Sequence, residues 1–212
     1  MRRIIFENEE FYHIYNRGND KREIFIEEKD YIRFLTAMRE FNRVNPIGSL
    51  SYVTRSGRTA KALAVRPLVR IICYCLLGNH YHFILQQLEE GGISNYMKKL
   101  NGGHTWYFNF RYKKSGSLFQ GKYKAIHIKS NEYLQYLSAY INANPEIHKV
   151  ALAENYKWSS YQEFLGKRKG NLPDKKIILN EFKNVEEYRE YVKIISDSSR
   201  QRKEAIKECL LE

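Results

Sequence analysis

Two short stretches of the chain carry residue types that can bind a metal ion or attack phosphorus. The first is His80-Tyr81-His82, which follows an apolar run and a Gly-Asn pair. In a β-strand, residues i and i+2 lie on the same face, so both imidazoles can face one cation while Tyr81 faces the opposite layer. Two histidines alone make an incomplete site. The pair therefore predicts a metal site only if another segment completes it.

The second stretch is YINANP at residues 140–145. Tyr140 and Asn144 are one helical turn apart, so a helix laid across a sheet would offer a hydroxyl and an amide oxygen from the same side. The hydroxyl is a candidate nucleophile, and the amide oxygen is a candidate third ligand. Each stretch alone is weak evidence, and only their combination predicts a hydroxyl nucleophile beside a metal ion.

Apolar periodicity predicts the elements that must position these residues, in the order strand, helix, hairpin, helix, strand, helix. They are a strand at 11–18, a helix at 27–44, a hairpin of strands at 70–77 and 80–87, a helix from Ser94 interrupted at Gly102-Gly103, a strand at 122–129, and a helix that Ser130 caps and Pro145 ends. This order predicts an α+β fold with helices packed on an antiparallel sheet, of the ferredoxin-like or RRM-like kind.

The length of 212 residues suits one domain with elaborations. We expect a domain over residues 1–170 with a basic loop insertion at 46–68, followed by a helical C-terminal extension at 171–212. No run of about 18 apolar residues occurs, so we expect neither a signal peptide nor a membrane span and predict a cytoplasmic, nucleoid-associated protein. Three cysteines are too few for a disulfide framework or a four-thiolate zinc site.

The positive charge is concentrated in the middle of the chain. The formal net charge of +12 divides into −1 for residues 1–40, +12 for residues 41–131 and +1 for residues 132–212. The same segment carries a series of aromatic residues that includes Tyr96, Trp106, Tyr107, Phe108, Phe110, Tyr112, Phe119 and Tyr123. Cations neutralise phosphates and flat rings can stack on unpaired bases, so this combination favours nucleic-acid binding, although most rings are expected in the core. The candidate DNA contacts are Asn16, Arg17, Lys98, Lys99, Arg111, Lys113, Lys114, Lys122 and Lys124.

Six motifs resemble one known family, the HUH single-tyrosine transposases, especially the REP-associated tyrosine transposases and their short insertion-sequence relatives. They occur in order over about residues 11–166: YHIYNRGNDKREIF (12–25), CLLGNHYHFIL (75–85), ISNYMKKLNGGHT (93–105), SLFQGKYKAIHI (117–128), YINANP (140–145) and YKWSSYQEFLG (156–166). The segments 46–68 and 171–212 fall outside the common pattern. The resemblance implies an HUH endonuclease core.

The resemblance also implies a role for each matching residue. His80 and His82 match the metal-binding pair, Tyr140 matches the nucleophile, and Asn144 matches the polar residue that completes the metal site, where some relatives have Gln. Relatives usually have Pro where this chain has Gly78. Two imidazoles and an amide oxygen suit Mg²⁺ or Mn²⁺. Related enzymes occur both as homodimers that exchange the tyrosine helix and as monomers, and both states remain open.

The expected function is that of a transposase, a metal-dependent single-stranded DNA endonuclease and strand transferase that cuts near DNA hairpins through a 5′-phosphotyrosine intermediate. One alternative is a non-catalytic RRM-like nucleic-acid-binding protein, which would bind without metal and form no covalent product. Another is a hydrolase that uses His80 and His82 with water as nucleophile, whose activity would survive the loss of Tyr140.

Overall fold

A four-stranded antiparallel sheet forms the centre of the fold. The computed structural model describes residues 4–45, 50 and 66–209, with side chains described up to residue 203. The strands are β1 (Phe11–Arg17), β2 (Val69–Leu77), β3 (His80–Gln87) and β4 (Lys124–Ile128), in the spatial order β2-β3-β1-β4. The β-branched and aromatic residues of β2 are almost entirely buried. The predicted α+β class and ferredoxin-like strand order are therefore confirmed.

Six α-helices accompany the sheet in the described part of the chain. They are α1 (Glu28–Glu40), α2 (Gly92–Tyr112), α3 (Asn131–Ile147), α4 (Tyr161–Phe164), α5 (Lys176–Leu179) and α6 (Val185–Cys209), with short 3-10 turns at Asn19–Lys21 and Ala153–Asn155. Ser130 caps α3 as predicted, because its hydroxyl accepts a hydrogen bond from the backbone N–H of Tyr133 at 3.2 Å.

Helix α2 contradicts the interruption predicted at Gly102-Gly103, since it runs unbroken from Gly92 to Tyr112. A methyl group at Gly103 would lie 3.0 Å from the ring of Phe41, so this glycine permits close packing just beyond the end of α1. The predicted cap at Ser94 is also wrong, because the helix already begins at Gly92. Tertiary packing has overridden the low helix propensity of the glycine pair.

Helix α3 contradicts the predicted stop at Pro145, which lies inside the helix and is buried. Proline removes one helical N–H, yet the backbone N–H of His148 still reaches the carbonyl of Asn144 at 2.9 Å and closes the last turn. Helix α1, by contrast, is shorter than predicted. It ends at Glu40, and its cap is Phe41 rather than a residue near Val44.

Contacts divide the chain into two compact units, which we call the first and second unit. The first comprises Met1–Arg70, Gly78–Tyr81 and Leu85–His127, and the second comprises Ile71–Leu77, His82–Ile84 and Ile128–Glu212. These units are grouped by spatial contacts and are discontinuous in sequence, so they do not test the predicted boundary at residue 170. That boundary stays a prediction. Most of the predicted insertion at 46–68, including Arg55, Arg58 and Lys61, lies outside the described residues.

Asp30 joins α1 to α2 within the first unit. Its buried carboxylate accepts hydrogen bonds from the hydroxyls of Tyr107 at 2.9 Å and Tyr112 at 2.7 Å, and from the backbone N–H groups of Ile26 and Glu27. Burial works to raise the pKa of Asp30, but these hydrogen bonds outweigh it and hold the pKa below its ordinary value.

No helix in the described part of the chain is long and apolar enough to cross a membrane.

Candidate active site

The histidine pair lies at the start of β3. His80 and His82 are both half-buried, whereas Tyr81 between them is fully buried. The hydroxyl of Tyr81 donates a hydrogen bond to the side-chain oxygen of Asn101 at 2.8 Å. This alternation gives the two imidazoles the same face of the strand, as the sequence predicted.

The turn before β3 fixes the orientation of His80 within the first unit. The side-chain amide of Asn79 donates to the carbonyl oxygen of Lys21 at 3.1 Å, so the Asn79 side-chain oxygen is the atom that faces Nδ1 of His80, at 2.5 Å. That oxygen can only accept, so the contact is a hydrogen bond only if Nδ1 carries the proton. The lone pair of the neutral ring then lies on Nε2, the atom that can bind a cation.

The same turn is anchored by main-chain hydrogen bonds. The carbonyl oxygen of Gly78 accepts from the N–H groups of Ile24 and Phe25 at 2.7 and 3.0 Å, and that of Asn79 accepts from Gly18 at 2.8 Å. Sequence reasoning treated Gly78-Asn79 only as a hairpin turn and missed the role of Asn79. An amide side chain directly before a candidate ligand was the available signal.

Helix α3 brings Tyr140 and Asn144 together in the second unit. The side-chain amide of Asn144 donates to the backbone carbonyl of Tyr140 at 2.9 Å, and Asn144 is fully buried while Tyr140 is half-buried. Burial raises the pKa of the Tyr140 hydroxyl, and the nearby Tyr136 adds to this, although a hydrogen bond from the Asn144 side chain acts in the opposite direction. The hydroxyl is therefore protonated at neutral pH.

The donor atoms can be tested against the implied divalent ion. The side-chain oxygen of Asn144 is buried and has no hydrogen-bond partner among the described residues, and the bond to Tyr140 fixes which end of the amide is oxygen. A buried amide oxygen left without a donor costs free energy, and a hard cation would satisfy it. Among the described residues, no three His, Cys, Asp or Glu side chains are grouped as a metal site. The predicted set contains only two such residues, with an amide as the third ligand.

A buried polar network holds α3 within the second unit. The hydroxyl of Tyr188 on α6 lies 3.2 Å from that of Ser138 and accepts from the side-chain amide of Asn142 at 2.9 Å. The side-chain oxygen of Asn142 accepts from the Ser160 hydroxyl at 2.8 Å, and the backbone N–H of Tyr74 on β2 donates to the same hydroxyl at 3.0 Å. The sequence predicted only a helical extension over residues 171–212, so this network was also missed.

All nine candidate DNA contacts fall in the first unit. Arg17, Lys98, Arg111, Lys113, Lys114, Lys122 and Lys124 are exposed, and Lys99 is half-buried. Arg111 is paired with Glu27 at 2.7 Å, and the Lys99 ammonium donates to the carbonyl of Arg43 at 3.2 Å. Asn16 is only 5% exposed, and its amide donates to the carbonyl of Gly121 at 3.2 Å. Asn16 is thus the least accessible of the nine, and its contact with DNA stays a prediction.

Comparisons with known proteins agree with the geometry. Residues 51–144 match the family model of the IS200-like transposases. The fold resembles a solved REP-associated tyrosine transposase bound to a REP hairpin, with a TM-score of 0.55 and 15% sequence identity over 82% of this chain and 93% of that one. No curated protein sequence matches significantly. The resemblance to the IS200-like, single-tyrosine transposases that the sequence motifs indicated is therefore confirmed.

Proposed function

We propose that this protein is a metal-dependent single-stranded DNA endonuclease and strand transferase that uses Tyr140 as its nucleophile. The observation that carries the proposal is a buried Asn144 one turn after Tyr140, whose amide donates to the Tyr140 carbonyl and whose side-chain oxygen has no partner in the described part of the chain. A divalent ion bound to this oxygen would satisfy it. The match to the IS200-like transposase model, which includes both the histidine pair and this helix, supports the same reading.

In the proposed reaction, the Tyr140 oxygen attacks the phosphorus of an unpaired strand. A bond forms between that oxygen and phosphorus, the bond from phosphorus to the 3′ oxygen breaks, and the product is a 5′-phosphotyrosine with a free 3′-hydroxyl. The tyrosine proton is lost to solvent or a nearby base, and the departing 3′ oxygen gains one. Because the ester keeps the energy of the phosphodiester, another 3′-hydroxyl can reverse the step and join a new strand.

The residues that would hold Mg²⁺ or Mn²⁺ are His80, His82 and Asn144. When bound, such an ion supplies charge stabilisation for the non-bridging phosphate oxygens. The contact with Asn79 favours the His80 tautomer that carries its proton on Nδ1. In that tautomer the lone pair on Nε2 is available to the ion. Asn144 would contribute its buried side-chain oxygen. The convergence of these donors with Tyr140 remains a prediction from the motifs.

The proposed partner is single-stranded DNA next to a hairpin. The solved relative is bound to a REP hairpin, and seven of the nine candidate contacts in this chain are exposed cations. Phosphate contacts of this kind orient the strand but carry no sequence information. We further propose that the protein acts in the cytoplasm, where such DNA occurs.

One denaturing gel tests the function. A labelled hairpin oligonucleotide with a single-stranded flank is incubated with protein and Mg²⁺ or Mn²⁺, and a protein-linked band is sought. The expected result is an adduct that Tyr140→Phe lowers at least about a thousandfold, because the nucleophile is lost. Tyr136→Phe is the matched control, since its ring stacks on that of Tyr140 at 6.3 Å on the same helix.

Three outcomes would contradict the proposal. An adduct that survives Tyr140→Phe would assign the nucleophile elsewhere. Cleavage without any adduct would favour the hydrolase with water as nucleophile. Binding without cleavage in either metal would favour the non-catalytic RRM-like protein.

A further inference from the structure

Two large rings on α2 are exposed side by side. Trp106 and Phe110 are 63% and 77% exposed, and their rings are nearly parallel, with centroids 5.5 Å apart and an angle of 6° between planes. Every other Phe, Trp or Tyr side chain that the structure describes between residues 41 and 131 is buried or half-buried. Single exposed apolar residues are ordinary, but a stacked Trp-Phe pair leaves a contiguous aromatic surface that water solvates poorly.

The neighbouring helical turn leaves space beside this pair. Gly102 lies one turn before Trp106, and a methyl group added there would meet no atom of residues 4–45, 50 or 66–209 within 4 Å. Gly103 is explained by its contact with Phe41, but neither packing nor a positive φ explains Gly102. A glycine inside a helix destabilises that helix relative to alanine. The open turn therefore gives a flat ligand room to approach the indole of Trp106.

Cations stand at both ends of the aromatic surface. Lys98 is one turn before Gly102, and Lys113 and Lys114 are three and four residues beyond Phe110, all of them exposed. Helix α2 itself contains no acidic residue. A partner that fits must be negatively charged and must also present flat apolar faces. Unpaired nucleotides combine both properties, whereas a paired duplex hides its base faces.

We infer that Trp106 and Phe110 form a stacking platform for unpaired bases, with Lys98, Lys113 and Lys114 contacting the adjacent phosphates. The inference rests on the proposed function for its substrate, since it assigns part of the same single strand to α2. The rings are 5.5 Å apart, too close for a base to enter between them. Bases therefore stack on the outer ring faces and continue the existing stack.

Fluorescence and anisotropy test the platform in the full chain. The protein has two tryptophans, so Trp158→Phe leaves Trp106 as the only reporter. Oligo(dT) should quench its emission. The double variant Trp106→Ala/Phe110→Ala should bind oligo(dT) and the flanked hairpin on the order of tenfold to hundredfold more weakly, given what base stacking contributes. Its affinity for a blunt duplex should be unchanged. Ile194→Ala removes a similarly exposed apolar side chain, 62% exposed, and is the matched control.

Each other outcome overturns the inference. An unchanged affinity for oligo(dT), or an equal loss on blunt duplex, would show that the rings do not stack on bases. A change from dimer to monomer in sedimentation, with DNA binding intact, would assign the surface to a second copy of the chain. The proposed function can fail independently of this inference. In that case the gel would show no covalent adduct, while the anisotropy measurement would still report whether the two rings bind single-stranded DNA.

Discussion

The two compact units differ in charge and in the chemistry that their residues can perform. The first unit carries a net charge of +10, with 21 basic and 11 acidic residues, whereas the second carries +2, with 15 and 13. All nine candidate DNA contacts belong to the first unit, while Tyr140 and Asn144 belong to the second. His80 falls in the first unit and His82 in the second.

This difference suggests that affinity and bond-making are carried by different residues of one chain. Substitutions among the cations of the first unit should change the dissociation constant for DNA. Substitutions on α3 should change the rate of adduct formation at saturating DNA. The predictions below test this division, and each could show that the two properties are not separable.

After Tyr140→Phe, the largest effect is expected for Asn144→Leu. This substitution removes the amide oxygen that would bind the divalent ion, so adduct formation should fall at least about a hundredfold. Asn144→Asp keeps an oxygen at that position and should retain more activity. The measurement is the single-turnover rate of adduct formation at several Mg²⁺ concentrations, together with DNA affinity. A leucine variant as active as the parent would remove Asn144 from the metal site.

A smaller effect is expected when Lys113 and Lys114 are both replaced by alanine. Affinity for single-stranded DNA should fall about tenfold at low salt, and the slope of log affinity against log salt should become shallower by about 1.4. The adduct rate at saturating DNA should not change. Lys193→Ala, an exposed lysine on α6 in the second unit, is the control. An unaltered salt slope would show that these two lysines do not contact phosphate.

The hydroxyl of Tyr188 should matter for stability. Tyr188→Phe leaves the buried amide of Asn142 without its acceptor, which should lower the free energy of unfolding by about 1–2 kcal/mol. Tyr191→Phe, half-buried on the same helix, should have little effect. Urea denaturation measures both. If α6 also positions α3, Tyr188→Phe should lower the rate of adduct formation without changing DNA affinity. An equal free energy of unfolding for Tyr188→Phe and Tyr191→Phe would argue against the network.

The smallest effect concerns mild acid and belongs to the first unit. Burial lowers the pKa of His13 and of His104 to about 4, so both rings stay neutral in the folded chain. The unfolded chain binds more protons below the ordinary pKa of about 6.5. Stability should therefore fall as the pH decreases from 7 to 6, by roughly 0.7 kcal/mol for each histidine. Urea denaturation of His104→Gln at both pH values should show a smaller decrease than the parent chain.

The sequence predicted the fold well where periodicity and turn residues agree. The Gly-Asn hairpin and the Ser130 cap are local signals, and both were correct. The unbroken α2 and the continuation of α3 through Pro145 could not be predicted, because they depend on packing between distant residues. Gly103 is an example, because the residue that leaves no room for a side chain there is Phe41, more than sixty positions earlier in the chain.

The candidate site shows the same limit. Residue types and spacing were enough to select His80, His82, Tyr140 and Asn144 from the sequence. Helical spacing predicted that Tyr140 and Asn144 share a face, and both residues lie on one helix, with the Asn144 amide bonded to the Tyr140 carbonyl. The sequence did not indicate that Asn79 fixes the ring of His80, or which two of the eight named aromatic residues are exposed. Both depend on side-chain orientation, which no periodic pattern encodes.

The partnership between α3 and α6 also affects the order in which the protein can mature. The contacts of Tyr188 with Ser138 and Asn142 join positions 50 and 46 residues apart. Contacts so distant in sequence form late, since the chain must first close a long loop. While the ribosome is still synthesising residues 148–187, α3 therefore lacks the hydrogen bonds that Tyr188 makes with Ser138 and Asn142. If the proposed function is right, a nascent chain that already contains Tyr140 should form the adduct poorly until α6 has been synthesised and has packed against α3.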